Sequence, residues 1–250
     1  AALRKDTILV SIMAVNNEVG AIQPLKEISA ILDDYPRVHF HVDAVQALGK
    51  GLGELLSLDR IDFLTFSGHK FHAPRGIGFI YAKAGRKLAA LMAGGGQEQN
   101  QRSGTENLPA IAAMAKAIRL LLTDEEAKVA KQQAVRKMIY DHLAKFDKVT
   151  IFSQLTPNFA PHILCFTIDG VRGETIVHAF EEFGIYISTT SACSSKKGTI
   201  SGTLAAMKIP EKIATSAVRI SLDEANNDKE AAEFIKAFDI LYKRFAKINS

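Results

Sequence analysis

The sequence predicts an α/β fold in which a mainly parallel sheet is followed by a smaller C-terminal α+β domain. Three observations carry that expectation. Short β-branched and apolar runs alternate with helical or loop segments from Thr7 to about Ala82. Those runs are apolar throughout, as parallel strands covered on both faces are. A charged amphipathic stretch beginning at Thr123-Asp124-Glu125-Glu126 then separates this alternation from a second set of strand and helix signals. A boundary drawn there gives a large domain over residues 1–122 and a small one over 123–250.

Taken in order, the strands are expected at Thr7 to Met13, Val38 to Val42, Ile61 to Phe66 and Ile77 to Tyr81. Pro24 opens a helix whose Leu25, Ile28 and Leu32 recur at helical spacing and form a face to lay on the sheet. After Gly94-Gly95-Gly96 a polar loop runs to Thr105, Asn107 is placed to cap a helix, and Pro109 fits its first turn before an apolar run to Leu122. Beyond the charged helix come a strand over His162 to Ile168, a helix over Glu174 to Phe183, and a Ser/Thr-rich loop. A strand over Val218 to Ser221 and a last helix from about Asp228 complete the smaller domain.

With 250 residues, 47% of them hydrophobic and 23% charged, the chain has the balance of an ordinary globular protein able to bury a large core. No apolar stretch approaches membrane-spanning length. The net charge of +4 comes from scattered Lys and Arg, which argues only weakly for nucleic acid or membrane and suits an acidic protein partner equally well. Gly76-Ile77-Gly78 reaches Tyr81 where a dinucleotide fingerprint has its third glycine, and Gly49-Lys50 lacks the Ser or Thr of a P-loop, so nucleotide binding is not supported. With Cys165 and Cys193 as the sole cysteines and no secretory signal, a reducing cytoplasm is the expectation. Ala1 is followed almost at once by a strand signal with no initiating Met, which reads as a fragment.

Chemistry concentrates at two strand ends. Lys70 closes Ser67-Gly68-His69-Lys70 just past one apolar run, while Asp43, followed by Gln46, ends another. A lysine and an acid at the mouths of neighbouring strands are what pyridoxal phosphate (PLP) requires, an amine to join the aldehyde and a partner for the pyridinium nitrogen. The plainer readings are a surface lysine and an Asp that caps the next segment. His39, His41 and Asp43 also alternate along one strand and share a face, a metal-ligand pattern in outline, but three ligands along one strand spread too far to converge easily on an ion.

Cys165 lies in Ile163-Leu164-Cys165-Phe166 and reads as a small buried hydrophobe. Cys193 lies in Ser188-Thr189-Thr190-Ser191-Ala192-Cys193-Ser194-Ser195, followed by Lys196-Lys197, where a thiol is reachable and nearby cations favour its thiolate; a passive exposed cysteine is the alternative. Arg219, between Val218 and Ile220, reads either as a solvated charge or as a clamp for a substrate carboxylate.

Asn16-Asn17-Glu18-Val19-Gly20, Asp43-Ala44-Val45-Gln46, Ser67-Gly68-His69-Lys70, Gly94-Gly95-Gly96-Gln97-Glu98, Arg102-Ser103-Gly104-Thr105, Ser191-Ala192-Cys193-Ser194-Ser195 and Arg219-Ile220-Ser221-Leu222 together resemble, in order, the class-V aminotransferase-like cysteine desulfurases of the NifS and IscS branch. The resemblance implies a PLP-dependent transferase fold with Lys70 joined to PLP, Asp43 on the pyridine nitrogen and Gln46 on the phenolic oxygen. It implies Ser67 and His69 on the phosphate, Thr105 reaching the phosphate of the other subunit of a homodimer, and Asn17 and Arg219 on the substrate.

In that reading Cys193 takes sulfur from L-cysteine, L-alanine is released, and the persulfide supplies an iron–sulfur scaffold or a tRNA-thiolating enzyme. Another PLP-dependent lyase or aminotransferase, or a dimerising or acceptor-binding module without catalysis, are the rivals. The family continues upstream of the point where this sequence starts, so the large domain is expected to be partial. It also carries Gly where Asp223 stands, which would suit a left-handed backbone there.

Overall fold

The computed structural model describes residues 2–190 and 201–248, and the chain divides into two compact units, Ala1–Ala14 with Gln23–Glu125 and Val15–Ile22 with Glu126–Ser250. The first unit runs β1 (Leu9–Met13), α1 (Leu25–Asp33), β2 (His39–Asp43), α2 (Gly53–Leu56), β3 (Phe63–Ser67), a 3-10 turn (Gly68–Phe71), β4 (Gly78–Ala82), a short helical turn α3 (Gln97–Asn100) and α4 (Leu108–Leu122). Its sheet has the order β1-β2-β3-β4, parallel except for β4, which returns antiparallel to β3. Met13 pairs with Asp43, and Asp43 with Thr65, so the strands reach their C-terminal ends side by side.

Each element follows from its residues. Helix α1 buries Leu25, Ser29 and Leu32, one stripe at helical spacing, and β2 buries Phe40 and Val42 completely. The Asn107 side chain accepts from the Ala110 N–H at 3.2 Å and starts α4, with Pro109 in the first turn. Near the other end of α4, Leu121 presses on Gly49, where an added Cβ would lie 2.4 Å from Leu121 Cγ.

The expectation that these strands are covered on both faces fails outside β3. Leu9 is 50% exposed and Tyr81 48%, whereas Phe40, Val42, Leu64 and Phe66 are buried. Strands β1 and β4 are the edges of this sheet, and β1 and β2 alternate in exposure as strands do when one face alone carries the core.

Asp62, 1% exposed, ties this unit together before β3. Its carboxylate accepts from the Phe40 N–H at 2.8 Å, from Arg60 Nη1 at 3.1 Å and from Arg86 Nε at 2.7 Å, while Arg60 also donates to the carbonyls of Leu32, Tyr35 and Val38. Desolvation pushes the Asp62 carboxyl upward, but the Phe40 N–H and the two guanidinium groups outweigh it and hold it below its ordinary value. Its stabilising effect is therefore full above the ordinary carboxylate pKa of about 3.9 and is lost as pH falls through the lower folded value. Asp62→Asn is expected to cost about 3 kcal/mol at neutral pH by stranding the two arginines. Urea midpoints at pH 7 and near pH 3 check this, with the difference from wild type shrinking at the acid end.

Apart from Glu125, the first residue of α5, the second unit contains α5 (Glu125–Leu143), β5 (Val149–Ile151), β6 (Ile163–Ile168), α6 (Gly173–Glu181), β7 (Ser188–Thr189), α7 (Gly202–Ala206), α8 (Glu211–Ala214), β8 (Val218–Ser221) and α9 (Asp228–Ile248). Its antiparallel sheet has the order β5-β6-β8-β7. All residues of β6 are buried, and α5, α6 and α9 pack on the sheet through Leu143, Ile176, Phe180, Phe234 and Phe238. The Phe180 and Phe234 rings stack with centroids 4.9 Å apart, which adds to the area they bury. No helix among the described residues is long and apolar enough to cross a membrane.

Candidate active site

In the first unit the parallel pairing of β2 and β3 sends the residues beyond their ends out at one edge of the sheet. Asp43 is exposed at the end of β2, and its Oδ1 accepts from the Val45 N–H at 3.0 Å, which turns the chain toward a half-buried Gln46. The Ala44 N–H donates to the Thr65 carbonyl at 3.0 Å and closes the seam between β2 and β3.

Half-buried Ser67 ends β3, and the 3-10 turn that follows presents His69 and Lys70 to solvent while burying Phe71. Gly68 is required at this turn. A Cβ there would lie 2.8 Å from the Ile77 carbonyl oxygen and 3.0 Å from Ala73 Cβ, so any larger residue would push the turn, and with it Lys70, off the sheet. Helix α4 packs against the same turn, and Thr105 stands exposed in the loop before that helix rather than on a strand end.

One edge thus carries an amine, a carboxylate, a hydroxyl and an imidazole, with Asp43 and Lys70 on neighbouring strand ends. This donor set fits PLP: Lys70 would hold the aldehyde carbon, Asp43 would face the pyridinium nitrogen, and Ser67 and His69 would hold the phosphate. The nitrogens of the alternating histidines are directed elsewhere. His41 Nδ1 lies 2.7 Å from Ser11 Oγ and its Nε2 3.0 Å from Thr65 Oγ1. His39 packs edge-on against Phe63, with its Nδ1 3.6 Å from Asp62.

In the second unit the segment Val15–Ile22 is a tight turn organised by buried Asn16, whose Oδ1 accepts from the N–H groups of Glu18 and Val19, both at 2.9 Å. Arg219, half-buried on β8, donates from Nη1 to the Asn17 carbonyl at 2.9 Å and from Nε to Ser221 Oγ at 3.1 Å. Asn17 and Arg219 are therefore brought together, through the Asn17 backbone.

Glu18 accepts from Ser201 Oγ and, at 3.1 Å, from Thr203 Oγ1, while Ser201 Oγ also caps α7 by accepting from the Leu204 N–H at 3.0 Å. Sequence reasoning missed this network. Its signals were the acid in Asn16-Asn17-Glu18 and the capping Ser201, both present without a local partner to link them.

Cys193 lies outside the described residues, with Ser191-Ala192 before it and Ser194-Ser195 after. Cys165 is fully buried, and burial, reinforced by the Glu18 charge, pushes its thiol up to about 12, which leaves it protonated and inert at neutral pH. The left-handed backbone expected at Asp223 is not found: Asp223 is not among the residues with positive φ. It instead organises a side-chain turn, its N–H donating to Asn226 Oδ1 at 2.7 Å and its Oδ1 accepting from the Ala225 N–H at 2.8 Å, a role an acidic side chain fills and glycine does not.

The family model described as aminotransferase class-V matches residues 1–234. A NifS/IcsS protein homolog from Lactobacillus delbrueckii subsp. bulgaricus is 61% identical over 249 residues, an alignment that takes in 100% of this chain and 65% of the relative. The cysteine desulfurase IscS of Dictyoglomus turgidum is 37% identical over 221 residues, covering 88% of this chain and 56% of the relative. Among solved structures a NifS-like protein superposes with a TM-score of 0.84 at 34% identity over 96% of this chain and 62% of its own. The chain thus spans 56–65% of the length of these relatives. A family match over nearly the whole sequence, and a fold shared with NifS-like structures, place this chain in the aminotransferase class-V family.

Proposed function

We propose that this chain is a PLP-dependent cysteine desulfurase that converts L-cysteine to L-alanine and retains the sulfur as a persulfide on Cys193. The observation that carries the reading is the pairing of β2 with β3, which sets Asp43 and Lys70 at adjacent mouths of one sheet edge. Relatives named NifS or IscS support the specific reaction.

When bound, PLP supplies an electron sink next to the substrate Cα. Asp43 would place a negative charge beside the ring nitrogen and so keep its proton there. Lys70 would hold the aldehyde group of PLP, and its free amine would be the base that carries a proton from the substrate Cα. The Arg219 fork, steadied by the Asn17 carbonyl and Ser221, offers its other N–H groups to the substrate carboxylate.

The Cys193 thiolate forms an S–S bond to the substrate sulfur as the substrate Cβ–S bond breaks. The carbon retains that electron pair and takes up a proton, so one cysteine and one thiol give one alanine and one persulfide with no external oxidant. Thr105, exposed in its loop, would hold the phosphate of the cofactor bound by a second subunit of a homodimer, and an iron–sulfur scaffold or a tRNA-thiolating enzyme would take the sulfur onward.

The test is product identity. Incubation with PLP, L-cysteine and dithiothreitol is expected to yield alanine and sulfide in equal amounts; pyruvate with ammonia would indicate a lyase, and a 2-oxo acid with retained sulfur an aminotransferase. Arg219→Ala is expected to raise KM for L-cysteine about 10- to 100-fold, the worth of a charge-assisted carboxylate clamp, with Arg219→Lys between the two. Initial rates over a range of L-cysteine concentrations check this.

A further inference from the structure

We propose that His41 is a positioning residue for the cofactor edge: its imidazole pins β1, β2 and β3 in the register that sets the spacing of Asp43 from Ser67, His69 and Lys70. The role in cofactor binding rests on the PLP reading above; the pin itself does not.

His41 lies mid-strand in β2, paired in register with Ser11 on one side and with Phe63 on the other. Its ring bridges both neighbours, Nδ1 to Ser11 Oγ at 2.7 Å and Nε2 to Thr65 Oγ1 at 3.0 Å. A neutral imidazole donates from one nitrogen and accepts at the other, and each hydroxyl can do either, so both bonds are satisfied in either tautomer. The row Ser11–His41–Thr65 is thus a polar staple across three parallel strands, and Thr65 is the residue paired with Asp43.

The apolar pattern alone does not provide this. A one-residue slip would turn every side chain to the wrong face, but a two-residue slip keeps each on its own face and moves Asp43 about 6.6 Å along β2 relative to Lys70. On β1 the residues flanking Ser11 on that face are Leu9 and Met13, neither with a hydroxyl, so a slip of β2 in either direction loses the hydroxyl bond to β1, while on β3 it brings Phe63 or Ser67 to the place of Thr65. The sheet face that carries the row is also the less covered one, where burial specifies register least. His41 and Asp43 are two residues apart on the same face, roughly 6.6 Å, so His41 acts through the strands rather than by touching the cofactor.

The experiment combines hydrogen exchange with PLP titration of the 250-residue chain and its variants. The Ala14 N–H, bonded to the Asp43 carbonyl at 2.8 Å, and the Ala44 N–H, bonded to the Thr65 carbonyl at 3.0 Å, report on the mouth of the edge; the Phe40 N–H, bonded to Asp62, reports on the opposite end of β2. In His41→Phe the Ala14 and Ala44 amides are expected to exchange about tenfold faster while Phe40 holds, and the Kd for PLP to rise about tenfold. His41→Gln, whose amide both donates and accepts, is expected to recover most of both effects.

Leu32→Ala, a cavity in the α1 stripe, is the comparison for plain destabilisation and is expected to speed all three amides together. Unchanged protection at Ala14 and Ala44 in His41→Phe, or a uniform loss like that of Leu32→Ala, would overturn the pin. Localised loss of protection with an unchanged PLP Kd would overturn its link to the cofactor. Failure of every variant and the wild type to take up PLP would instead count against the PLP reading itself, while the amide result still decides the pin.

Discussion

Lys70→Ala is expected to abolish the covalent attachment of PLP that borohydride would otherwise fix to the chain, and to lower desulfuration by at least about a thousandfold. The size of the effect follows from the two duties proposed for that amine, joining the cofactor and carrying the Cα proton. The local frame should survive the change: Lys70 is exposed on its turn, and the turn is held by buried Phe71 and by the fit of Gly68 under Ile77 rather than by the lysine. Thermal melting without cofactor should therefore match wild type. Mass spectrometry of reduced, PLP-loaded protein decides the matter, with the phosphopyridoxyl group on the Lys70 peptide in wild type and on none in the variant; a label on another lysine in the variant would refute the assignment.

Cys193→Ser is expected to keep PLP uptake and its absorption band while sulfide release falls below about 1% of wild type, because a hydroxyl cannot hold sulfane sulfur. Cys165 cannot substitute. It is fully buried in β6 with its thiol pushed up to about 12, so almost none of it is thiolate near pH 7. Cys165→Ala should accordingly leave the sulfide rate near wild type and cost stability alone. The pair of variants separates a reaction that needs an acceptor thiol from one that merely eliminates sulfide.

Much of this architecture was legible in the sequence because the determinants are local. The apolar runs ending at Asp43 and Ser67 are strands, Asn107 with Pro109 starts α4, and the mainly parallel order follows from alternation of strands and helices. The short elements were not legible. Strands β5 and β7 and helices α7 and α8 have 3, 2, 5 and 4 residues, too few for periodicity to show, and exist because β6 and β8 give them a partner or a surface.

The polar networks were hidden for a related reason. Ser11, His41 and Thr65 are scattered along the chain and meet only once the register is set, and Asp62 reads as one acid in an apolar run until Arg60 and Arg86 fold over it. Alternation of His39, His41 and Asp43 suggested a shared face correctly, but not that a hydroxyl would stand on either side of His41. The family resemblance placed Gly at position 223; the side-chain turn that Asp223 makes with Ala225 and Asn226 depends on residues beyond that motif.

The most direct measurement of the central claim is a single-turnover reaction of the PLP-loaded chain with L-cysteine in the absence of reductant, reading alanine and the mass of the cysteine peptides together. The account predicts one alanine per loaded site and a matching gain of one sulfur atom on the Cys193 peptide, with the Cys165 peptide unchanged. Alanine without sulfur on Cys193, sulfur on Cys165, or pyruvate in place of alanine would contradict it.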